Sequence, residues 1–172
     1  VGELLDISEI LKIMIFDCLI GNSDRHHSNW GVSPYIKNSN GERYLRLKLC
    51  PLYDNGSSLC AYENENDIEI FFKDKMKFEA LINTKSKSAI GWENERPIKH
   101  FELLRKLKEN KYALVIPYIK KIENNVNETN IDKILNQFES SIISENMKKL
   151  LRMYILERRK RMLEIFDLKA GV

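Results

Sequence analysis

A chain of 172 residues, 43% hydrophobic and 31% charged, has the ordinary composition of a soluble protein and enough length for one domain with its own core. Its net charge of +3 is too small for a nucleic-acid-binding stripe, so no direct nucleic-acid contact is expected. The longest apolar stretch, Ile13 to Ile20, is broken by Asp17 and falls far short of the roughly 20 residues a bilayer requires, so no membrane span is expected.

The cysteines Cys18, Cys50 and Cys60 show no CxxC or Cys/His ligand spacing. That argues against a disulfide framework or structural zinc and for reduced, buried thiols in a cytoplasmic protein. The sequence begins at Val1, and Asp6 and Glu9 already fall in an opening helix. The expectation is therefore a piece of a longer protein.

Asp6-Ile-Ser-Glu9 has the form of a capping box. Ile7, Ile10, Leu11, Met14, Ile15 and Cys18 then recur at helical spacing, and Gly21-Asn22 supplies the stop. The stripe predicts a buried helix that delivers the next segment rigidly. That segment, Gly21 to Asn29, is polar throughout. After it, Trp30 to Lys37 and Arg43 to Cys50 read as strands, the second with Leu45, Leu47 and Leu49 on one face. Between them Asn38-Ser-Asn-Gly41 is a hairpin signal, because Asn and Gly tolerate positive φ. Such a hairpin would return Pro51-Leu-Tyr-Asp54 to the neighbourhood of Asp24 and Asn29.

Further on, Asn55 to Ser58 reads as a loop, Glu63 to Asp67 as an exposed acidic stretch, and Ile68 to Phe72 as a short apolar run of undecided type. Lys85 to Pro97 reads as a connection, with Pro97 placed to enter a helix at its first turn. Three apolar stripes predict helices beyond it: Ile98, Phe101, Leu104 and Leu107; Ile131, Ile134, Leu135 and Phe138; and Met147, Leu150, Leu151, Tyr154 and Ile155. Pro117 should start, bend or end its element. Arg158-Arg159-Lys160-Arg161 is read as the solvated face of the last helix, and Trp30 as core. The expected fold is mainly α with a short β-hairpin, a single domain over residues 1–172.

Phosphoryl transfer asks for positioning and charge compensation more than for covalent chemistry. In the protein-kinase signature an Asp that takes the acceptor proton precedes a metal-holding Asn by five positions, and a carboxylate from a distant strand end holds metal as well. Asp24 precedes Asn29 by five positions, and Asp54 follows a predicted strand. Their hard oxygens suit Mg²⁺. His26 and His27, being adjacent, cannot both face one metal from a regular element, so His26 is read as ordering the loop. Arg25 could equally meet a phosphate or pair with a carboxylate in the helical core.

Ile20-Gly-Asn-Ser-Asp24-Arg-His26-His-Ser-Asn29, followed by Leu49-Cys-Pro-Leu-Tyr-Asp54, resembles the catalytic loop and metal segment of HipA-like Ser/Thr kinases. Asp-Arg-His-x-x-Asn also resembles the catalytic loop of phosphoinositide 3/4-kinases. Cys50 stands where the family commonly has a small residue. The resemblance implies a kinase C-terminal lobe in which Asp24 is the catalytic residue, Asn29 and Asp54 bind Mg²⁺, and Asn22, Arg25 and His26 support the loop. It implies ATP as phosphoryl donor and a protein Ser/Thr hydroxyl as acceptor. Some members are toxins of toxin–antitoxin pairs, which extends the expected partners to an antitoxin protein.

A kinase also needs a loop over the phosphates and a Lys to pair with them. The seven glycines contain no GxGxxG, and no β-rich stretch precedes the catalytic loop. The nucleotide-covering N-terminal lobe is therefore expected to be missing and this chain to be inactive alone. The rival expectations are a lipid kinase, which an exposed basic or amphipathic surface beside the metal site would favour, and a binding module without catalysis.

Overall fold

The structure, a computed structural model, describes residues 4–83 and 87–168. Helix α1 spans Ile7–Ile20 and carries the expected stripe, burying Leu11, Met14, Ile15 and Cys18, although Ile7 at its first turn is exposed. Asp6 caps it by accepting from Ser8 N–H at 2.8 Å. The second half of the predicted capping box does not form: Glu9 pairs with Lys12 on the next turn instead of reaching back, an ordinary i,i+3 ion pair. Gly21 ends the helix in the left-handed region, φ 69°. A Cβ there would stand 1.9 Å from the Tyr154 hydroxyl oxygen, so both backbone and space demand glycine.

A 3₁₀ turn at His27–Asn29 leads into strands β1 (Val32–Ser39) and β2 (Glu42–Leu49). They pair antiparallel from Val32 opposite Leu49 to Ser39 opposite Glu42. The two turn residues, Asn40 (φ 52°) and Gly41 (φ 80°), both have positive φ, as the right-handed twist of a two-residue hairpin requires. The strands start and end within two residues of the expected bounds. Leu47 N–H donates to the Leu4 carbonyl at 2.9 Å, which ties the hairpin to the segment entering α1. Trp30 is only half-buried and belongs to neither apolar cluster.

The undecided run Ile68 to Phe72 lies in helix α2 (Glu65–Lys73), and its acidic prelude is the cap: Asn64 and Asp67 form a reciprocal capping box. Helix α3 (Lys75–Asn83) follows. Of the predicted connection, Lys85 and Ser86 lie outside the described residues. The rest contains strand β3 (Lys87–Ser88), which pairs with β4 (Ile98–Lys99). Pro97 therefore precedes a strand, and helix α4 begins only at His100. Helix α4 (His100–Asn125) departs from helical geometry at Lys111 (φ −138°, ψ 24°) and retains Pro117 inside it, so the bend falls before the proline.

Helix α5 (Glu128–Leu135) buries Ile131 and Leu135, whereas Ile134 and Phe138 are exposed. Helix α6 (Glu145–Ile165) buries Leu150, Leu151 and Tyr154. The main core gathers α1, α2, α3, α4 and α6, and α5 closes a smaller cluster on α6. The fold is thus mainly helical with a flanking hairpin. Among the described residues no helix is long and apolar enough to cross a membrane. None of the three cysteines is in a disulfide; Cys18 and Cys60 are buried and Cys50 half-buried.

The basic run on α6 differs from its expected role. Arg158 is fully buried, between the rings of Phe101 (4.9 Å) and Tyr154 (5.3 Å). It donates to the carbonyls of Cys18 (2.7 Å) and Ile82 (2.8 Å). Arg161 pairs with Glu79 and Glu157, and Arg159 donates to the Glu123 carbonyl. Carbonyls, rings and carboxylates of α6 itself and of neighbouring helices absorb these charges, where charge pattern alone had suggested solvent, while Lys160 is exposed as expected.

Candidate active site

The C-terminus of α1 and the foot of the hairpin present two loops, residues 21–31 and 50–60, beside each other. Their backbones touch: Ser23 N–H donates to Ser57 O at 3.3 Å, and Leu59 N–H to Ile20 O at 2.9 Å. Asp54, Leu59 and Cys60 all have positive φ. Asp tolerates that region, but for Leu and Cys it is uncommon, and such backbone clusters at functional loops.

Within the first loop, Asn22 is buried and its side-chain oxygen accepts from Asp24 N–H at 3.0 Å. Asn29 is also buried, and its amide nitrogen donates to the Asp24 carbonyl at 2.7 Å. These two bonds brace the backbone of Asp24 while its carboxylate stays half exposed. His26 accepts from Ser28 N–H through Nδ1 at 3.2 Å, which leaves the proton on Nε2. Nε2 lies 3.8 Å from Asp24 Oδ1, beyond hydrogen-bonding distance. His27 is exposed.

Arg25 is buried and resolves its two open roles. Its Nε and Nη2 donate to the Asp17 carboxylate at 3.0 to 3.3 Å. Nη1 donates to the carbonyls of Asn29 (2.9 Å) and Tyr53 (2.7 Å), and Nη2 to the side-chain oxygen of Asn55. The carboxylate partner is Asp17, and one guanidinium nitrogen holds the carbonyls of the predicted metal ligand Asn29 and of Tyr53, the residue before the other, Asp54.

Burial pushes the Asp17 carboxyl above its ordinary range, against the opposing pull of Arg25 and Asn22. The pairing with Arg25 is direct, so Asp17 is taken as the carboxylate of a buried ion pair. Sequence reasoning did not single out Asp17 or Asn55. The available signal was a lone Asp interrupting the apolar run Ile13 to Ile20.

Beneath the loops, His100 is buried and accepts from Arg158 Nη2 through Nδ1 at 3.1 Å. Burial and the nearby guanidinium depress its pKa to about 3. The Cys18 thiol, donating to the His100 carbonyl at 3.4 Å, is pushed up by burial.

The donor set fits a hard cation. Among the described residues Asn29 Oδ1 accepts no hydrogen bond, and the Asp54 carboxylate has neither hydrogen bond nor ion pair. No group of three or more His, Cys, Asp or Glu is arranged as a metal cage among those residues. Two protein oxygens suit Mg²⁺, which keeps waters and is completed by substrate phosphates, better than a metal that needs a full protein shell.

A groove of about 560 Å³ adjoins Asn55 and is walled by Leu59, Ile143, Met147 and Leu151. A smaller hollow of about 100 Å³ continues it to Ser23. Among the described residues neither is lined by a lysine or arginine.

This helical fold, with its hairpin and paired loops, is one that occurs in a solved protein kinase. That kinase is the proinflammatory kinase CtkA of Helicobacter pylori, whose crystal structure matches with a TM-score of 0.72 at 20% identity, covering 92% of this chain and 54% of that one. In sequence, the serine/threonine-protein kinase CtkA of Helicobacter pylori J99 is 24% identical over 160 residues, 92% of this chain and 45% of its own length. The chain thus spans about half the length of the relative it matches. No protein-family model matches it.

Proposed function

We propose that this chain carries the phosphoryl-transfer site of an ATP- and Mg²⁺-dependent kinase of HipA-like type that acts on protein Ser/Thr hydroxyls. The observation that carries this is the Arg25 bridge, which sets the loop bearing Asp24 and Asn29 against the loop bearing Asp54. The likeness to a serine/threonine-protein kinase over 92% of the chain supports it.

In this mechanism Asp24, braced through its backbone and open at its carboxylate, orients the acceptor hydroxyl and takes its proton as the oxygen bonds to the γ-phosphorus of ATP and the bond to the β–γ bridging oxygen breaks, releasing ADP. Asn29 Oδ1 and an Asp54 oxygen hold Mg²⁺. When bound, the metal neutralises charge on the β- and γ-phosphate oxygens. Asn22, Arg25 and His26 keep the loop in shape.

Residues 1–172 are assigned as the C-terminal lobe. The nucleotide-covering lobe belongs to the share of the kinase that this chain does not span, and the hairpin's apolar face, with Ile36 and Leu45 about half exposed, offers it a surface. Three cysteines outside any disulfide suit a reducing cytoplasm. A toxin role with an antitoxin partner remains part of the proposal by resemblance alone. Among the described residues the hollows beside the metal loop offer no Lys or Arg to an anionic lipid headgroup, which favours a protein acceptor. Against a module without catalysis stands the joint presence of Asp24, Asn29 and Asp54.

Calorimetry tests the metal assignment. In the protein that includes the nucleotide-covering part, ATP should bind more tightly with Mg²⁺, and Asp54→Ala should weaken that Mg²⁺-dependent binding by about tenfold, roughly 1.4 kcal/mol. An unchanged Mg²⁺ dependence in Asp54→Ala would remove Asp54 from the site.

A further inference from the structure

Arginine presents five N–H donors in a rigid planar fork. In Arg25 all five are engaged: Nε and one Nη2 proton by Asp17, the other Nη2 proton by Asn55, and the two Nη1 protons by the carbonyls of Asn29 and Tyr53. No donor is left for a phosphate. The positive charge is compensated within the fold by Asp17, which is as deeply buried as the guanidinium. A cation placed near the predicted metal ligands therefore faces an ion pair of near-zero net charge and not a bare guanidinium, which would repel Mg²⁺.

The four groups it holds come from three separate segments: the last turn of α1, the end of the 3₁₀ turn, and the loop after β2. Among the described residues, the two loops and α1 are also joined by Cys50 N–H to Gly31 O at the foot of the hairpin, by Ser23 N–H to Ser57 O and by Leu59 N–H to Ile20 O. The last two lie on the C-terminal side of Asp54 and the first lies four residues before it. Between Cys50 and Asp54, Arg25 Nη1 joins Tyr53 directly to Asn29.

We infer that the Asp17–Arg25 pair is a positioning device that sets the separation of Asn29 and Asp54, so that both loops meet one divalent cation as a single unit. The inference rests on the metal assignment proposed above. Arg25 touches neither metal nor substrate in this account. It acts through the backbones of Asn29 and Tyr53 and through Asn55. Lysine would keep the charge but has three donors on one nitrogen, so it cannot span the same four partners.

The test uses the 172-residue chain with Mn²⁺ as the probe, comparing the parent with Arg25→Lys, and with Asn55→Ala as a milder variant that removes only one arm. Amide hydrogen exchange is read first. In Arg25→Lys the Ser23 and Leu59 amides should exchange at least about tenfold faster, while the core amides of Leu104 and Leu150 keep their protection. Paramagnetic broadening by Mn²⁺ is read second. In the parent, signals of Asn29 and Asn55 should respond over the same concentration range; in Arg25→Lys the two ranges should separate by about tenfold or more. Asn55→Ala should show the same changes in smaller measure.

Loss of core protection in step with the loops would mean that Arg25 serves global stability only, and would overturn the inference. So would parental loop exchange and coincident Mn²⁺ responses in Arg25→Lys. If the parent itself showed no Mn²⁺ response at either loop, the metal assignment would fail, and with it the claim that the pair serves a metal, while the exchange data would still report on the coupling of the loops.

Discussion

Between pH 6.5 and pH 3 the protein should lose stability with a component that belongs to His100. The imidazole is fully buried, accepts a hydrogen bond from Arg158, and has its pKa lowered from 6.5 to about 3. The native state thus binds the proton more weakly than the unfolded chain does. Stability from this group is complete above pH 6.5 and falls as the pH drops through the window. The limiting slope is about 1.4 kcal/mol per pH unit, which gives about 2 kcal/mol lost by pH 5. His100→Asn keeps an acceptor near the position of Nδ1 but cannot titrate. Urea unfolding followed by circular dichroism at pH 7.5, 6 and 5 should show the parent losing about 2 kcal/mol more than the variant over that range. Carboxylates that titrate nearby act on both proteins and cancel in the difference. Parallel losses in the two proteins would show that His100 takes up its proton equally in the folded and unfolded states, and would refute the argument.

Gly21→Ala should destabilise the fold by about 2 kcal/mol or more, since a left-handed non-glycine residue costs roughly 1 to 2 kcal/mol and its Cβ would collide with the Tyr154 hydroxyl. Adding Tyr154→Phe should recover part of that loss, as a double-mutant cycle by thermal unfolding would show; strict additivity would count against the collision. The 172-residue chain alone should fold yet show no transfer from radiolabelled ATP, and the protein including the nucleotide-covering lobe should show it. Robust, Asp24-dependent transfer by the chain alone would mean that the covering lobe is dispensable.

Local signals carried much of the architecture. The stripe of α1, its Gly21 stop and the Asn-Gly turn depend on backbone rules that act within a few residues, and these elements lie within two residues of expectation. The helix at Ile68 was undecided because a short apolar run has no decisive period, although Asn64 and Asp67 offered a capping box that was read as mere acidity. Arg158 shows the harder limit. Its neighbours in sequence are Arg159, Lys160 and Arg161, and only the assembled fold supplies the rings of Phe101 and Tyr154 and the carbonyls of Cys18 and Ile82. The candidate site divides the same way. Asp24, Asn29 and Asp54 were legible from spacing and resemblance, whereas the role of Asp17 depends on a partner eight residues away beyond a helix end.

The most direct measurement is phosphoryl transfer from radiolabelled ATP to protein by the kinase containing both lobes, compared with its Asp24→Asn variant, with Mg-ATP affinity measured in parallel. Loss of the base with both metal ligands intact should lower turnover by about 10²-fold or more and leave nucleotide binding largely unchanged. Parental turnover in Asp24→Asn would contradict the account at its centre.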